Sequence, residues 1–558
     1  MKDLYRNKTL AWTLLFAFAA ALLFALGART LVPPDEGRYA EMAREMFASG
    51  DWITTRLNGI KYFEKPPLQT WMNALSFQLF GLGDWQARLW TGLCGLLGVV
   101  FTGYTGRRVF GERIGFYAAL VLGSCFYWVA CSQIDSLDMG LSGMMTIALC
   151  GLLLGQRDGA TPLENRNWML VCWAGMALSM LAKGLIGLVL PGGVLVVYTI
   201  AARDWKIWTR LHLVKGLVLF ALIAAPWFVL VGIRNPEQPH FFFIHEHFQR
   251  FATDEAHRQA AWYVFFALLA AGSVPWLGVL VQSLILGARH ENQGGGTGRF
   301  RPRLLLLVWV AFIVLFFTKS QSKLPGYILP VFPAVALLVA NYLEVGTRRS
   351  RILTAGLTAL LGLALLATVP FMLKFAKHAG EDKLYAAYQP WVLAAGLVLL
   401  IGGGLGLLYA RNMQRDLTVL VLAIAGFAGT ELMMAGFEPI AQARAGTNLM
   451  PALRAAGAAN PATKVYSVGI YEQSLTFYLR RTVTLVDYTD EFAFGLEQQP
   501  QLSIPSMPAW IEQWKRDAAA GVQDVAITRP EIVVELKRQG VPLRVVGADG
   551  RRSIIVNH

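Results

Sequence analysis

Charge is scarce in this chain, and cysteine is scarcer. Only 15% of the 558 residues are Asp, Glu, Lys or Arg, while 55% are hydrophobic. Mean hydropathy is +0.45, whereas a soluble domain carries about a quarter of its residues as charges. A soluble globular fold of this size is excluded, and an integral membrane protein remains. The five cysteines (Cys94, Cys125, Cys131, Cys150, Cys172) all lie in or at the ends of apolar runs. That excludes a disulfide framework and a cysteine-based metal site, and leaves them as small core residues. There is no GxGxxG, no P-loop and no internal repeat, so nucleotide binding has no support. The formal charge of +14 comes from bases in short loops between apolar runs. Such placement is the positive-inside bias, with a share for anionic lipid head groups, and it gives no reason to expect nucleic acid.

What is present is a series of apolar runs. A window of about 19 residues finds thirteen candidate spans, at 10–32, 87–106, 114–132, 139–156, 168–184, 185–202, 216–233, 262–287, 303–319, 327–345, 353–373, 391–410 and 417–435. The first has a basic start but no small-residue cleavage site, and it exceeds a signal-peptide core, so it reads as an uncleaved span. An odd number puts the termini on opposite sides. Arg107, Arg108 and Arg113, then Arg157 and Arg166, and so on to Arg411 and Arg415 fall in one set of alternate loops, which marks that side and the N-terminus as cytoplasmic. Gly184 and Gly187 permit the tight turn that the fifth and sixth spans require. From about Gly436 the apolar runs stop. Short β-like segments (464–468, 482–486, 524–527, 543–546, 553–556) alternate with helical ones (473–479, 530–538), which predicts a small α/β domain over 436–558 behind a membrane domain over 1–435.

Chemistry concentrates in the first outer loop, 33–86. Pro33 and Pro34 end the first helix, so Asp35 emerges at the membrane surface, where a carboxylate is a functional suspect. Tyr39, Met42, Ala43, Met46 and Phe47 share one helical face, with Arg38, Glu41 and Glu45 on the other. This is the pattern of a helix lying in the interface; the plainer alternative is a loop that rides the lipid surface with its charges solvated. A second helix follows Tyr62-Phe63-Glu64-Lys65-Pro66-Pro67, with the prolines at its start. Further polar clusters lie on the same side. Gln133 to Asp138 carries two acids, and the segment 236–258 carries His240, His245, His247 and His257 beside Arg250. His245 and His247 could share a divalent metal, zinc or similar, or either could join Glu64; an unliganded HxH is the alternative. Lys319 to Tyr327 adds Lys323, and Lys183 lies at the same depth. Cations and acids at one face of apolar helices suit a lipid that carries phosphate.

These residues resemble a known family. Asp35-Glu36-Gly37-Arg38-Tyr39, Tyr62-Phe63-Glu64-Lys65-Pro66-Pro67, Lys183-Gly184 and Lys323-Leu324-Pro325-Gly326-Tyr327 look like the bacterial lipid A aminoarabinose transferases. Those are membrane glycosyltransferases of the GT-C fold, related to protein O-mannosyltransferases, and the likeness extends over the whole chain. It implies about thirteen transmembrane helices and a small periplasmic domain. It also implies transfer of 4-amino-4-deoxy-L-arabinose from undecaprenyl phosphate to a lipid A phosphate, at the periplasmic face of the inner membrane. The outcome would be a less negative surface and polymyxin resistance.

The family's acidic position after the first span falls on Asp35, beside Glu36, and its second on Asp138. Arg38, Lys65 and Arg250 are expected at the phosphate, with Lys183 and Lys323 as further cations and Tyr62 and Tyr327 as hydrogen-bond donors. Glu64 and His245 are the candidate metal pair, although the reaction requires no cofactor. Membrane lipids are expected around a monomer. A transferase acting on protein is one rival. A lipid-linked-sugar transporter is another, but it should carry polar residues near the midplane and inverted repeats.

Overall fold

The computed structural model describes residues 4–244, 260–289, 299–376 and 380–558. Its helices in chain order are α1 (Lys8–Ala25), α2 (Asp35–Ser49), α3 (Leu68–Phe80), α4 (Asp84–Val109), α5 (Glu112–Leu122), α6 (Phe126–Cys131), α7 (Leu137–Gln156), α8 (Pro162–Lys183), α9 (Ile186–Ala202) and α10 (Leu213–Arg234). They continue as α11 (Val264–Gly272), α12 (Leu277–Ala288), α13 (Pro302–Lys319), α14 (Phe332–Val345), α15 (Arg348–Thr368), α16 (Glu381–Arg411) and α17 (Arg415–Ala435). Each expected span is helical, but not every one is a straight span. Among the described residues nine helices are long and apolar enough to cross a membrane, and a tenth span is formed if α11 and α12, bent by 112°, are counted together. The bend falls at Ser273 to Trp276, around Pro275. The run 114–132 is split into α5 and α6 at Gly123 to Cys125, and α9 has only 17 residues. The first helix stops at Ala25, earlier than the apolar pattern suggests.

α7 is the centre of the bundle, with 89% of its apolar window buried, whereas only 6% of α1 is. Small residues explain that place. A Cβ on Gly143 would sit 2.8 Å from that of Cys94 in α4, and one on Gly175 of α8 would sit 2.7 Å from the Ala148 nitrogen. Backbones approach this closely only where side chains are small.

Beyond the membrane helices lie α18 (Glu438–Ala445), α19 (Met450–Ala455), α20 (Gln473–Leu479), α21 (Ala493–Gln498), α22 (Met507–Ala519) and α23 (Pro530–Arg538). The first loop holds β1 (Arg56–Leu57) and β2 (Ile60–Lys61); the C-terminal region holds β3 (Val465–Val468), β4 (Thr484–Val486), β5 (Ser503–Ile504), β6 (Val525–Thr528), β7 (Arg544–Ala548) and β8 (Ser553–Val556). The larger sheet runs β5-β4-β3-β6-β8-β7, parallel except at β8. The five expected strands are present. β5 was not foreseen, because two residues carry no readable alternation. One face of the sheet packs on α22 and α23 through Trp510, Trp514, Val533 and Leu536.

The other face of the sheet packs on the first loop. Tyr39, Met42, Leu57, Ile60 and Tyr62 share a core with Leu475, Leu485 and Ile527. The charged side of α2 is therefore not solvated as the pattern suggested. Glu41, Arg44 and Glu45 are all buried, and Arg44 pairs with Glu41 at 2.6 Å. The hairpin β1–β2 turns on Asn58 (φ 54) and Gly59 (φ 77), as a two-residue Asn-Gly loop does. Asn58 exchanges hydrogen bonds of 2.8 Å with the Val483 backbone in both directions, which ties the hairpin to the sheet.

Candidate active site

α2 begins at Asp35 and puts two acids in its first turn, where the positive end of the helix favours them. Their surroundings differ completely. The Asp35 side chain is 54% exposed. Glu36 is 2% exposed and accepts from Arg29 Nη1 at 2.7 Å, Arg88 Nε at 2.6 Å, the Val32 amide at 2.9 Å and the Asp135 amide at 3.1 Å. Burial pushes its carboxyl up, but the two guanidiniums outweigh burial and hold it at about 2. Glu36 was expected to be catalytic. With its oxygens occupied and no path to solvent, it is instead the anchor of the turn between α1 and α2, and this is a correction.

Two residues on, Arg38 bridges two acids. Its Nη1 reaches Asp35 Oδ1 at 2.8 Å and its Nε reaches Glu491 Oε2 at 2.7 Å. Glu491 is fixed in turn by Gln473 Nε2 at 2.6 Å. Gly37 lies between Glu36 and Arg38 for a steric reason, since a Cβ there would stand 2.5 Å from the Ser474 nitrogen. The C-terminal domain thus contributes to this cluster, which no local pattern signals, since Arg38 and Glu491 are 453 positions apart.

Asp138 opens α7 and Lys183 closes α8, and the two form an ion pair. The Lys183 ammonium lies 4.8 Å from the centre of the Tyr327 ring, within cation–π range. A Cβ on Gly326 would sit 2.4 Å from Asp138 Cγ, so that glycine is what lets the Pro325-Gly326-Tyr327 turn close over the pair. Lys323 donates to Ser320 O at 2.9 Å and is folded onto its own loop. In the EKPP box Lys65 donates to Glu64 O at 2.9 Å, with the Glu64 carboxylate 3.9 Å away.

Two buried tyrosines tie the motifs together. The Tyr39 hydroxyl is pushed well above its ordinary value by burial, by the charge of Asp35 and, more weakly, by Glu64 and Asp138. Tyr62 is raised by burial and by Glu64, with Arg38 opposing. Each stays protonated, and neither hydroxyl bonds to another described residue, so both are free to donate to a ligand. Tyr39 and Glu491 were not among the expected site residues, and Asp135 entered only as one of the two acids between Gln133 and Asp138. Tyr39 left a trace in the sequence as part of the DEGRY motif, and Glu491 left none.

Arg250 and His245 lie outside the described residues, so the expected phosphate contact and the Glu64–His245 metal pair are not located. Among the described residues no three His, Cys, Asp or Glu side chains converge as metal ligands.

Two family models match the chain. One is the dolichyl-phosphate-mannose-protein mannosyltransferase family over 64–229, the other the aminoarabinose transferase C-terminal domain over 450–557. A relative from Edwardsiella ictaluri, an undecaprenyl phosphate-α-4-amino-4-deoxy-L-arabinose arabinosyl transferase, is 30% identical over 92% of this chain and 93% of its own. The enzyme of that name from Aeromonas salmonicida is 33% identical over 74% of this chain and 75% of its own. This chain belongs to the aminoarabinose transferase family. The transferase also superposes on the crystal structure of ArnT from Cupriavidus metallidurans bound to undecaprenyl phosphate, with 37% identity, 98% of each chain covered and a TM-score of 0.90. The apo form of that protein gives 38% identity, the same coverage and 0.89. The transferase is therefore a multi-pass membrane glycosyltransferase of the GT-C fold, as its motifs implied.

Proposed function

We propose that this transferase moves 4-amino-4-deoxy-L-arabinose from undecaprenyl phosphate to a phosphate of lipid A, at the periplasmic face of the inner membrane. The support is one coincidence. The chain matches along its whole length a protein bound to undecaprenyl phosphate, and its own cations and acids gather at the bundle end that carries the C-terminal domain. Bases in the alternate loops support a cytoplasmic N-terminus, which would put that end in the periplasm.

The reaction follows from charge. An acceptor phosphate oxygen forms a bond to the anomeric carbon, the bond from that carbon to the carrier phosphate breaks, and its electron pair leaves on that phosphate. Negative charge grows on the leaving group and positive character on the ring, so the site needs cations at one and an anion at the other. Lys65 and Arg38 serve the leaving phosphate. Arg38 spends Nε and Nη1 on Glu491 and Asp35, leaving Nη2 for the ligand. Tyr39 and Tyr62 donate hydrogen bonds. Asp35, exposed beside them, faces the ring and orients the acceptor or the sugar ammonium. The acceptor is already ionised, so neither a strong base nor a metal-activated nucleophile is required.

The test is transfer by the purified full-length protein, with the lipid-linked aminoarabinose as donor and lipid A as acceptor, read by mass spectrometry with and without a chelator. Product should form in both, and Asp35→Asn should abolish it while the protein stays folded. Product on a protein acceptor but none on lipid A would favour the mannosyltransferase-like alternative, and full turnover by Asp35→Asn would remove Asp35 from the chemistry.

A further inference from the structure

The loop between α6 and α7 carries a second acid that the mechanism does not use. Asp135 is fully buried and has no ion-pair partner among the described residues. Its carboxylate is held by two amides of α3, Gln69 Nε2 at 2.8 Å and Asn73 Nδ2 at 2.9 Å. Gln69 also donates to Asn73 Oδ1 at 3.1 Å, which closes a triad. Gln69 Oε1 is left buried without a partner, so the side chain forgoes one hydrogen bond to present its nitrogen to the carboxylate. The Asp135 amide donates to Glu36 Oε1 at 3.1 Å.

The loop is held from a further side as well. Gln133 O accepts from Arg29 at 2.6 Å, and Gln133 Nε2 donates to Glu431 of α17 at 3.0 Å. Three motif-bearing segments therefore meet at one side chain and its own amide. α2 starts with Asp35, α3 follows the EKPP box, and α7 starts two residues after Asp135 with Asp138 in its first turn.

Leaving a carboxylate in such a place costs burial energy that an apolar residue would not. What the carboxylate supplies is direction, since two converging N–H donors fix its position more tightly than packing would. We infer that Asp135 is a positioning residue for sugar transfer, locking α3 to the start of α7 so that the Asp138–Lys183 pair stays in register with Asp35 and Lys65. It does not touch substrate. The inference rests on the transfer reaction proposed above, and concerns how its groups are held.

A displacement on the order of 1 Å between reacting groups costs about a hundredfold in rate. Asp135→Ala and Asn73→Ala should each lower kcat of the folded, full-length enzyme by about ten- to a hundredfold. The decisive variant is the double exchange Asp135→Asn with Asn73→Asp. It re-forms the triad with donor and acceptor interchanged, and should recover most of the kcat lost in Asp135→Asn alone. A merely structural role predicts lower yield and Tm with kcat per folded molecule within about twofold of wild type, and that result would overturn the inference. So would a double exchange no faster than its parent single variants. Should Asp135→Ala not fold, Asp135→Asn and the exchange decide alone. Failure of the wild type itself to transfer the sugar would instead count against the proposed reaction.

Discussion

Asp35 and Glu36 are neighbours in sequence, yet a helix turns successive side chains about 100° apart, and here that angle separates an exposed carboxylate from a buried one. The difference predicts opposite phenotypes. Glu36→Gln takes from the buried Arg29 and Arg88 the one carboxylate that both hydrogen-bond, and removing one partner of a buried ion network costs about 3 to 5 kcal/mol. A large fall in Tm is expected from thermal unfolding in detergent, and an unchanged Tm would mean that Glu36 is not the anchor. At Lys65 the effect belongs to the ligand. Two prolines fix the start of α3 directly after it, so its ammonium is presented at a set height. Loss of a charged hydrogen bond to phosphate costs roughly 1.5 to 3 kcal/mol, or about ten- to a hundredfold in affinity. Lys65→Ala should weaken undecaprenyl phosphate binding by that factor, measured by titration. Equal affinities would show that Lys65 only snorkels to the head groups.

At the scale of elements, the C-terminal sheet is docked through groups that could not be left in water-free surroundings unpaired, and one pair makes its stability depend on pH. Asp524 at the start of β6 is fully buried beside Asp517, which Lys464 holds at 2.6 Å. Burial and the neighbouring Asp517 raise Asp524 to about 7, with Lys464 opposing. Tyr466 faces the same acids with a buried, unpartnered hydroxyl. An unfolded aspartate titrates near 3.9, so the folded state binds the extra proton between about pH 4 and 7. Its contribution is fully present below the unfolded value and is lost as pH rises through about 7. Full-length protein should therefore melt lower at pH 8 than at pH 5 on this account. Asp524→Asn, whose amide can donate to Asp517 at any pH, should flatten that slope. A slope the substitution leaves intact would assign the dependence to other groups, the buried Glu45 first among them, which burial and Glu41 raise to about 8.

For the whole molecule, the chemistry turns on which end of the bundle faces outward. Gly159, in the turn between α7 and α8, has open space around it, and Gln539 at the end of α23 is exposed. Four of the native cysteines are buried and the fifth, Cys131, is half-buried, which keeps background labelling low. In intact inner-membrane spheroplasts an impermeant thiol reagent should label Gln539→Cys at once and Gly159→Cys only after permeabilisation. The reverse pattern would place the site in the cytoplasm and defeat the proposed acceptor.

What the sequence determined by itself was whatever local pattern encodes: where the chain is apolar long enough to be helical in a membrane, where prolines stop it, and which charged motifs recur at one end. The α/β character of the C-terminal region was legible for the same reason, since alternation and helical spacing are local. The Asn58-Gly59 hairpin is local in the same sense, an Asn-Gly pair between two short extended runs. Tertiary structure decided everything that depended on what lies opposite. It buried the charged face of α2 under the C-terminal domain, sealed Glu36 and left Asp35 exposed, and brought Glu491 to Arg38 across 453 positions. It also turned Asp135 into the junction of three motifs. The physical reason is that a side chain's burial and charge partners are set by the surface that docks on it, and no periodicity within one segment carries the identity of that surface.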